Sequence, residues 1–223
     1  MNFTTYPDRE ALMMGLADRI ASELRAAIRS DGRATLSVPG GTTPGPIFDI
    51  LSDLDLEWDK VAVLLNDERW VPESSERSNT RLIRERLLTG RAAKAKLVPL
   101  YCEAPRPEDK MDELAEGIAP HLPISVLLLG MGGDMHTASL FPGADRLAEA
   151  LSEAAPILLP MRAEAAGEPR ITLSAPVLRD AMHTHILITG AEKRAAIEAA
   201  ESLPVEQAPV RAVLKNATVH WAE

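Results

Sequence analysis

Five consecutive apolar residues, Val61 to Leu65, run directly into Asn66-Asp67-Glu68-Arg69, and this junction constrains the chain more than any other feature. A short run without a polar member suits a strand buried on both faces, as in a parallel sheet covered by helices. Three largely apolar counterparts are Ala34 to Val38, Ile124 to Leu129 and Thr184 to Thr189. Ahead of them, Leu12, Leu16, Ile20, Leu24 and Ile28 recur every four residues, predicting a helix over residues 8–30 with one apolar stripe. Each of the four runs ends in a polar or glycine-rich stretch. In parallel sheets ligands bind beyond the carboxyl ends of the strands. The stretches after Val38, Leu65, Leu129 and Thr189 are therefore expected to meet on one rim as a composite site.

The rest of the chain extends this pattern. A helix is expected after Pro44, through Ile47, Ile50 and Leu51, and Ser78 is placed to cap another that runs to Leu88. A weaker strand is expected near Leu97 to Tyr101, and residues 103–123 read as loop and helix. Ile157–Leu159 and Arg170–Ser174 are further strand candidates, Gly190 leads into an alanine-rich helix through Ala200, and Val210 to Trp221 has room for one or two strands. Alternating strands and helices predict an α/β fold, a Rossmann-like three-layer sandwich with a mostly parallel central sheet flanked by helices. No linker divides the chain, so residues 1–223 are expected to form a single domain.

Charge and cysteine content narrow the function classes. A formal net charge of −9 argues against broad nucleic-acid binding, which needs a basic face to displace counterions. A small anion remains possible, because a cleft can be locally positive inside an acidic protein. Cys102 is the only cysteine, which leaves no disulfide and no CxxC metal pair and favours a cytoplasmic location. Met1 to Glu10 carries Asp8 and Glu10 and lacks the pattern of a secretory signal, and Ile124 to Leu129 is far too short to span a membrane.

Four clusters carry chemistry. Gly40-Gly41-Thr42-Thr43 offers free backbone N–H groups and two hydroxyls at a helix start, a place suited to anions, although an ordinary turn has the same composition. No Gly-Lys-Ser/Thr follows, so it is not a Walker loop. Lys193 falls in the first turn of the helix after Gly190, where the macrodipole disfavours a cation. A bound anion removes that conflict; pairing with Glu192 is the alternative. Arg69 presents a planar fork for a carboxylate, a phosphate or a developing oxyanion, or else an internal ion pair with Asp67 or Glu68. In Gly130-x-Gly132-Gly133-Asp134-x-His136 the glycines permit a sharp turn and close backbone approach. His136 has the side chain suited to general-base work near neutrality, with Asp134 to orient its ring; a structural histidine is the other reading. Met135 at the third glycine position breaks the dinucleotide fingerprint. His183 and His185 lack a third metal ligand, and neither a Gly-x-Ser-x-Gly elbow nor a His-Glu-x-x-His motif is present.

At these clusters the sequence resembles the 6-phosphogluconolactonase family, whose fold is shared with sugar-phosphate isomerases and deaminases. The matching stretches are Pro39-Gly40-Gly41-Thr42-Thr43-Pro44, Asp67-Glu68-Arg69-Trp70-Val71-Pro72 with Ser78-Asn79, and Gly130-Met131-Gly132 through His136-Thr137-Ala138-Ser139-Leu140-Phe141-Pro142. Arg170-Ile171-Thr172-Leu173 and Gly190-Ala191-Glu192-Lys193 complete the set. One departure is Met135, where the family usually has glycine; a positive φ there would strain a methionine by roughly 1–2 kcal/mol. The resemblance implies that His136 activates water, Asp134 supports it and Arg69 binds substrate or stabilises charge. It assigns the phosphate to Gly40, Gly41, Thr42 and Thr43 with Arg170 and Lys193. It further implies a small sugar-phosphate lactone as the only partner, no cofactor or metal, and a monomer or small homo-oligomer. An amino-sugar-phosphate isomerase or deaminase is the nearest rival, but that family typically carries tyrosine where Arg69 stands. A non-catalytic sugar-phosphate sensor would need a DNA-binding appendage, and only one helix precedes the first strand expected here.

Overall fold

The computed structural model describes all of residues 1–223. A short strand, β1 (Asn2–Thr5), leads into α1 (Arg9–Asp31), β2 (Ala34–Val38) and α2 (Gly45–Asp53). Next come β3 (Val61–Leu65), β4 (Asp67–Arg69), α3 (Asn79–Arg86), β5 (Lys96–Val98) and α4 (Met111–Ile118). The chain continues through β6 (Val126–Gly130), α5 (Leu147–Leu151), β7 (Leu158–Met161), β8 (Arg170–Leu173) and α6 (Ala175–Arg179). It closes with β9 (His183–Thr189), α7 (Ala191–Ala200), α8 (Arg211–Leu214) and β10 (Ala217–Ala222).

Local chemistry sets the element ends. Asp8 caps α1 by accepting from the Ala11 N–H at 2.7 Å, and Gly32, at φ 73°, closes it by donating to the Ile28 carbonyl. The stripe Leu12, Leu16, Ile20, Leu24 and Ile28 is buried, and every residue of β2 and β3 is buried as well. Their apolar members belong to one continuous core that also includes the buried part of β6.

Seven strands form a wholly parallel sheet in the order β1-β10-β9-β6-β2-β3-β5, flanked by helices as an α/β sandwich. From β2 the chain proceeds to one side, through β3 and β5, and then returns to the other side through β6, β9 and β10. The switch point therefore lies between β2 and β6, where loops diverge and open a crevice. Buried Asn66 ties this point together. Its side chain accepts from Ser37 Oγ at 2.6 Å and donates to the Leu128 carbonyl at 2.8 Å. Its backbone bonds both Val38 and Leu173.

The sequence expectations need correction outside this sheet. The two strands expected at 157–159 and 170–174 do not join it. They pair antiparallel with each other, and β8 pairs antiparallel with β4, in a second, three-stranded sheet of order β4-β8-β7. The C-terminal stretch supplies one strand and a short helix, and the edge strand β1 was not anticipated. No helix is long and apolar enough to cross a membrane.

Candidate active site

At the switch point lies a cavity of about 260 Å³, lined by the turn after β2, the β4 and β8 strands, the turn after β6 and the start of α7. All four rim stretches expected from the sequence meet there. Gly40, Gly41, Thr43, Arg69, His136, Arg170 and Lys193 line it, joined by Asp67 and Asn79. Thr42 does not. Its position on the turn faces a separate groove beside α1 and α2, shared with Met13 and Ile50. Asp134 stands behind His136 rather than in the lining.

The turn after β2 is built from two tightly constrained glycines. A side chain at Gly40 would meet Asn79 Oδ1 at 2.0 Å, and Gly41 lies at φ 83°. The turn's own backbone N–H groups at Gly41, Thr42 and Thr43 bond no acceptor in the chain, which leaves them available to an anion. Asn79 was not anticipated as a lining residue. It opens α3 and donates to the Asp67 carbonyl at 3.1 Å, so it braces two walls of the cavity together. The signals in the sequence were its place after the capping Ser78 and its membership of the Ser78-Asn79 stretch that matches the family.

The loop after β6 positions His136. Asp134 Oδ1 lies 2.5 Å from His136 Nδ1 and also accepts the His136 backbone N–H at 3.1 Å. A carboxylate acceptor makes Nδ1 the protonated nitrogen and leaves the Nε2 lone pair free. The ring packs against Phe141, with centroids 4.4 Å apart, and its other side lies against Gly132, where a Cβ would fall 2.2 Å from the ring. Met135 sits at φ 66° between the two catalytic candidates, so the strained alternative is the one realised. The turn is held by Met135 N–H to the Gly132 carbonyl, Gly132 N–H to the His136 carbonyl and Val210 N–H to the Met135 carbonyl, each at 3.0 Å.

The cations come from the second sheet and from α7. Neither internal ion pair considered for Arg69 forms. Its Nη1 donates to the Arg77 carbonyl at 2.7 Å, and its Nε is buried without a partner. Asp67 instead accepts from Ser139 Oγ at 2.5 Å and lies 3.8 Å from Arg170 Nη1. Glu68 turns the other way, into the start of α3, where it accepts from the backbone of Arg69, Asn79 and Thr80 and from Thr80 Oγ1. Burial raises the Glu68 carboxyl above its ordinary value against the pull of those bonds.

Antiparallel pairing sets Arg69 directly opposite Arg170, two like charges on one face of the sheet. Burial holds the Arg170 guanidinium below its usual range, Asp67 offsets this in part, and Arg69 adds to the depression. Arg170 Nε, like Arg69 Nε, has no partner in the chain. Arg170 also lies over Phe141, 5.6 Å from its centroid, which brings it to the same ring as His136. Lys193 makes no ion pair, with Glu192 or any other acid. Three cations and one carboxylate, Asp67, thus line a cavity inside a protein of net charge −9.

His183 and His185, considered for metal, lie on the β9 strand away from this cavity. His185 Nε2 bonds Glu23 at 2.7 Å and its Nδ1 bonds His220 at 3.0 Å. No cluster of three His, Cys, Asp or Glu side chains is arranged to hold a metal.

A cationic cleft at a sheet switch point, with a histidine–carboxylate pair in its wall, defines an α/β protein built around a small anionic ligand. The profile of the family described as glucosamine-6-phosphate isomerases/6-phosphogluconolactonase matches residues 7–221. A 6-phosphogluconolactonase of Mesorhizobium japonicum is 46% identical, covering 99% of this chain and 95% of that protein. One from Rhizobium meliloti is 42% identical, covering 99% and 98% respectively. The crystal structure of a 6-phosphogluconolactonase from Shewanella baltica superposes with a TM-score of 0.96 at 35% identity, over 100% of this chain and 98% of that one. The chain belongs to the glucosamine-6-phosphate isomerase/6-phosphogluconolactonase family.

Proposed function

We propose that this chain is a 6-phosphogluconolactonase, hydrolysing 6-phospho-D-glucono-1,5-lactone to 6-phospho-D-gluconate in the oxidative pentose phosphate pathway. The observation that carries the reading is the Asp134–His136 pair in the wall of a cavity whose other walls bear Arg69, Arg170 and Lys193. It suits an anionic substrate that must be attacked by water. The relatives named 6-phosphogluconolactonase, matched along nearly the full chain, support the specific substrate.

In this mechanism His136 Nε2 takes a proton from water as the oxygen attacks the lactone carbonyl. Asp134 stabilises the imidazolium that results, and the tetrahedral oxyanion faces the Arg69 guanidinium. Collapse of the intermediate breaks the ring C–O bond, and the departing ring oxygen receives the proton from His136. The new carboxyl group ionises to solvent. The Gly40, Gly41 and Thr43 backbone, with Arg170 and Lys193, holds the phosphate and so fixes the carbonyl relative to the base. A lactone is an activated ester, so this route calls for neither a covalent nucleophile nor a cofactor. General-base assistance contributes about 10²–10⁴-fold, and orientation through the phosphate adds to it. The reading extends to one domain acting in the cytoplasm on a small sugar phosphate.

The test is to generate the lactone in situ and follow its disappearance with and without the protein. No acceleration over spontaneous hydrolysis refutes the proposal, and ammonia release from glucosamine 6-phosphate would replace it with the isomerase/deaminase reading.

A further inference from the structure

The start of α7 carries Lys193 to the cavity, and the helix's own hold on Gly190 is a long bond from the Arg194 N–H to the Gly190 carbonyl at 3.3 Å. The helix begins at Gly190 without a side-chain cap, and Gly190 itself, at φ 83° and ψ 156°, occupies a region essentially reserved for glycine. A lysine in a helix's first turn is disfavoured by the macrodipole, so a loosely held turn would release it to solvent.

Further restraints on the turn come from the far end of the chain. Trp221, near the end of β10, donates its indole N–H to the Gly190 carbonyl at 2.9 Å, and the Ala222 carbonyl accepts the Gly190 N–H at 2.9 Å. The next residue after Lys193 is gripped as well. Arg194 lies over the Trp221 ring, 4.5 Å from its centroid, and over the Phe3 ring at 5.2 Å, while its Nε bonds Glu198 at 3.1 Å. Successive helical residues are about 100° apart around the axis. Fixing the direction of Arg194 toward the β1–β10 edge therefore fixes the direction of Lys193, which lines the cavity.

We propose that Trp221 is a positioning residue for Lys193: its hydrogen bond to Gly190 and its stacking on Arg194 set the angle at which the lysine meets the substrate phosphate. The inference rests on the phosphate-binding role of Lys193 in the hydrolase reading. Trp221 does not line the cavity and acts only through α7.

Trp221→Phe keeps an aromatic ring against Arg194 and removes the N–H donor. One neutral hydrogen bond corresponds to a loss of about 3- to 10-fold in kcat/KM for the phosphorylated lactone, carried mainly by KM. Activity on glucono-1,5-lactone, which has no phosphate, should not change. In a Lys193→Ala background the same substitution should add nothing, because the residue through which it acts is gone. Arg194→Met, which removes the second grip, should repeat this pattern and serves if Trp221→Phe folds poorly. Equal losses on both lactones would reduce Trp221 to a structural role, and a loss that persists in the Lys193→Ala background would also overturn the proposal. Titration with inorganic phosphate separates the two readings. If the wild type hydrolyses neither lactone, the hydrolase assignment fails, and weaker phosphate binding by Trp221→Phe only when Lys193 is present still decides the positioning claim.

Discussion

Met135 gives the sharpest test of how the base is presented. It sits at φ 66° in the turn between Asp134 and His136. A non-glycine residue in the left-handed region carries about 1–2 kcal/mol of strain. Replacing Met135 by glycine alone would confuse two effects, because the side chain packs against the core as well. Comparing Met135→Gly with Met135→Ala removes that ambiguity, since both lose the same packing and differ mainly in backbone freedom. Glycine relieves the strain but costs about 0.4–1 kcal/mol through the greater entropy of its unfolded chain. The difference leaves glycine more stable than alanine by about 0–1.6 kcal/mol, the reverse of their order at an ordinary helical position. For a chain of this size each 1 kcal/mol shifts Tm by about 2–4 °C. Thermal melting of the two variants should place glycine about 2–3 °C higher. Three hydrogen bonds hold the turn through groups that both variants keep, so kcat should stay within a few-fold of wild type. An alanine variant that melts above the glycine variant would refute the reasoning, for it would mean the backbone relaxes out of the left-handed region at no cost.

His136→Asn should lower kcat by about 10²–10⁴-fold with little change in KM, and a variant retaining near-full kcat removes the residue from the base role. Lys193→Ala should lower kcat/KM for the phosphorylated lactone by about 10–150-fold, the worth of one charge-assisted hydrogen bond, with glucono-1,5-lactone as the unaffected control. If the ratio of the two substrates is unchanged, the phosphate is held elsewhere. Acid should destabilise the fold through His220, which burial first, then His185 and Arg19, push from 6.5 down to about 3, while Glu23 opposes. Its folded pKa is below its unfolded value, so the unfolded chain binds the extra proton and stability falls as pH drops below about 6.5, by up to about 1.4 kcal/mol per pH unit. Glu23, whose burial is outweighed by its bonds to His185 and Arg19, is lowered from 4.5 and loses its contribution only at more acidic pH. Urea midpoints between pH 7 and pH 5 therefore read His220 together with His121, which burial first, then Lys96 and Arg33, also lower from 6.5, and a His220→Gln variant with an equally steep decline contradicts the part assigned to His220.

The parallel sheet was legible because burial on both faces leaves a signature that no surface segment imitates. Val61–Leu65 and Ala34–Val38 match β3 and β2 residue for residue. The other long runs shift by a residue or two, since Ile124 and Ser125 lead up to β6 rather than pairing within it. The second sheet was harder to read for the opposite reason. Its β4 strand is Asp67-Glu68-Arg69, three charged residues with no strand propensity, made extended by pairing with β8. The same pairing decides which acid faces which arginine, so the Asp67–Arg170 proximity could not come from local spacing. The β1 strand, Asn-Phe-Thr-Thr, is a half-exposed edge with one large apolar residue and gives no periodic signal. Thr42 is absent from the cavity lining while Thr43 lines it, a difference between neighbours that composition does not encode. Lys193 was legible through its conflict with the helix dipole, but the partners that grip its neighbours Gly190 and Arg194 lie about thirty residues downstream and at the opposite terminus.

The two sheets divide the work of the site in a way their physical chemistry explains. Parallel strand ends present backbone N–H groups and leave room for a loop that holds the Asp134–His136 pair, but from this side they bring only one cation, Lys193. The antiparallel sheet brings two guanidiniums into register on one face, an arrangement that repels itself and leaves both Nε atoms without partners. Asp67 neutralises only one of these charges, and it does so from 3.8 Å. An anion in the cavity would screen Arg69 from Arg170 and meet Lys193 as well. In the proposed hydrolase reading, binding energy gathered at the phosphate would hold the lactone between the wall that carries His136 and the wall that carries Arg69.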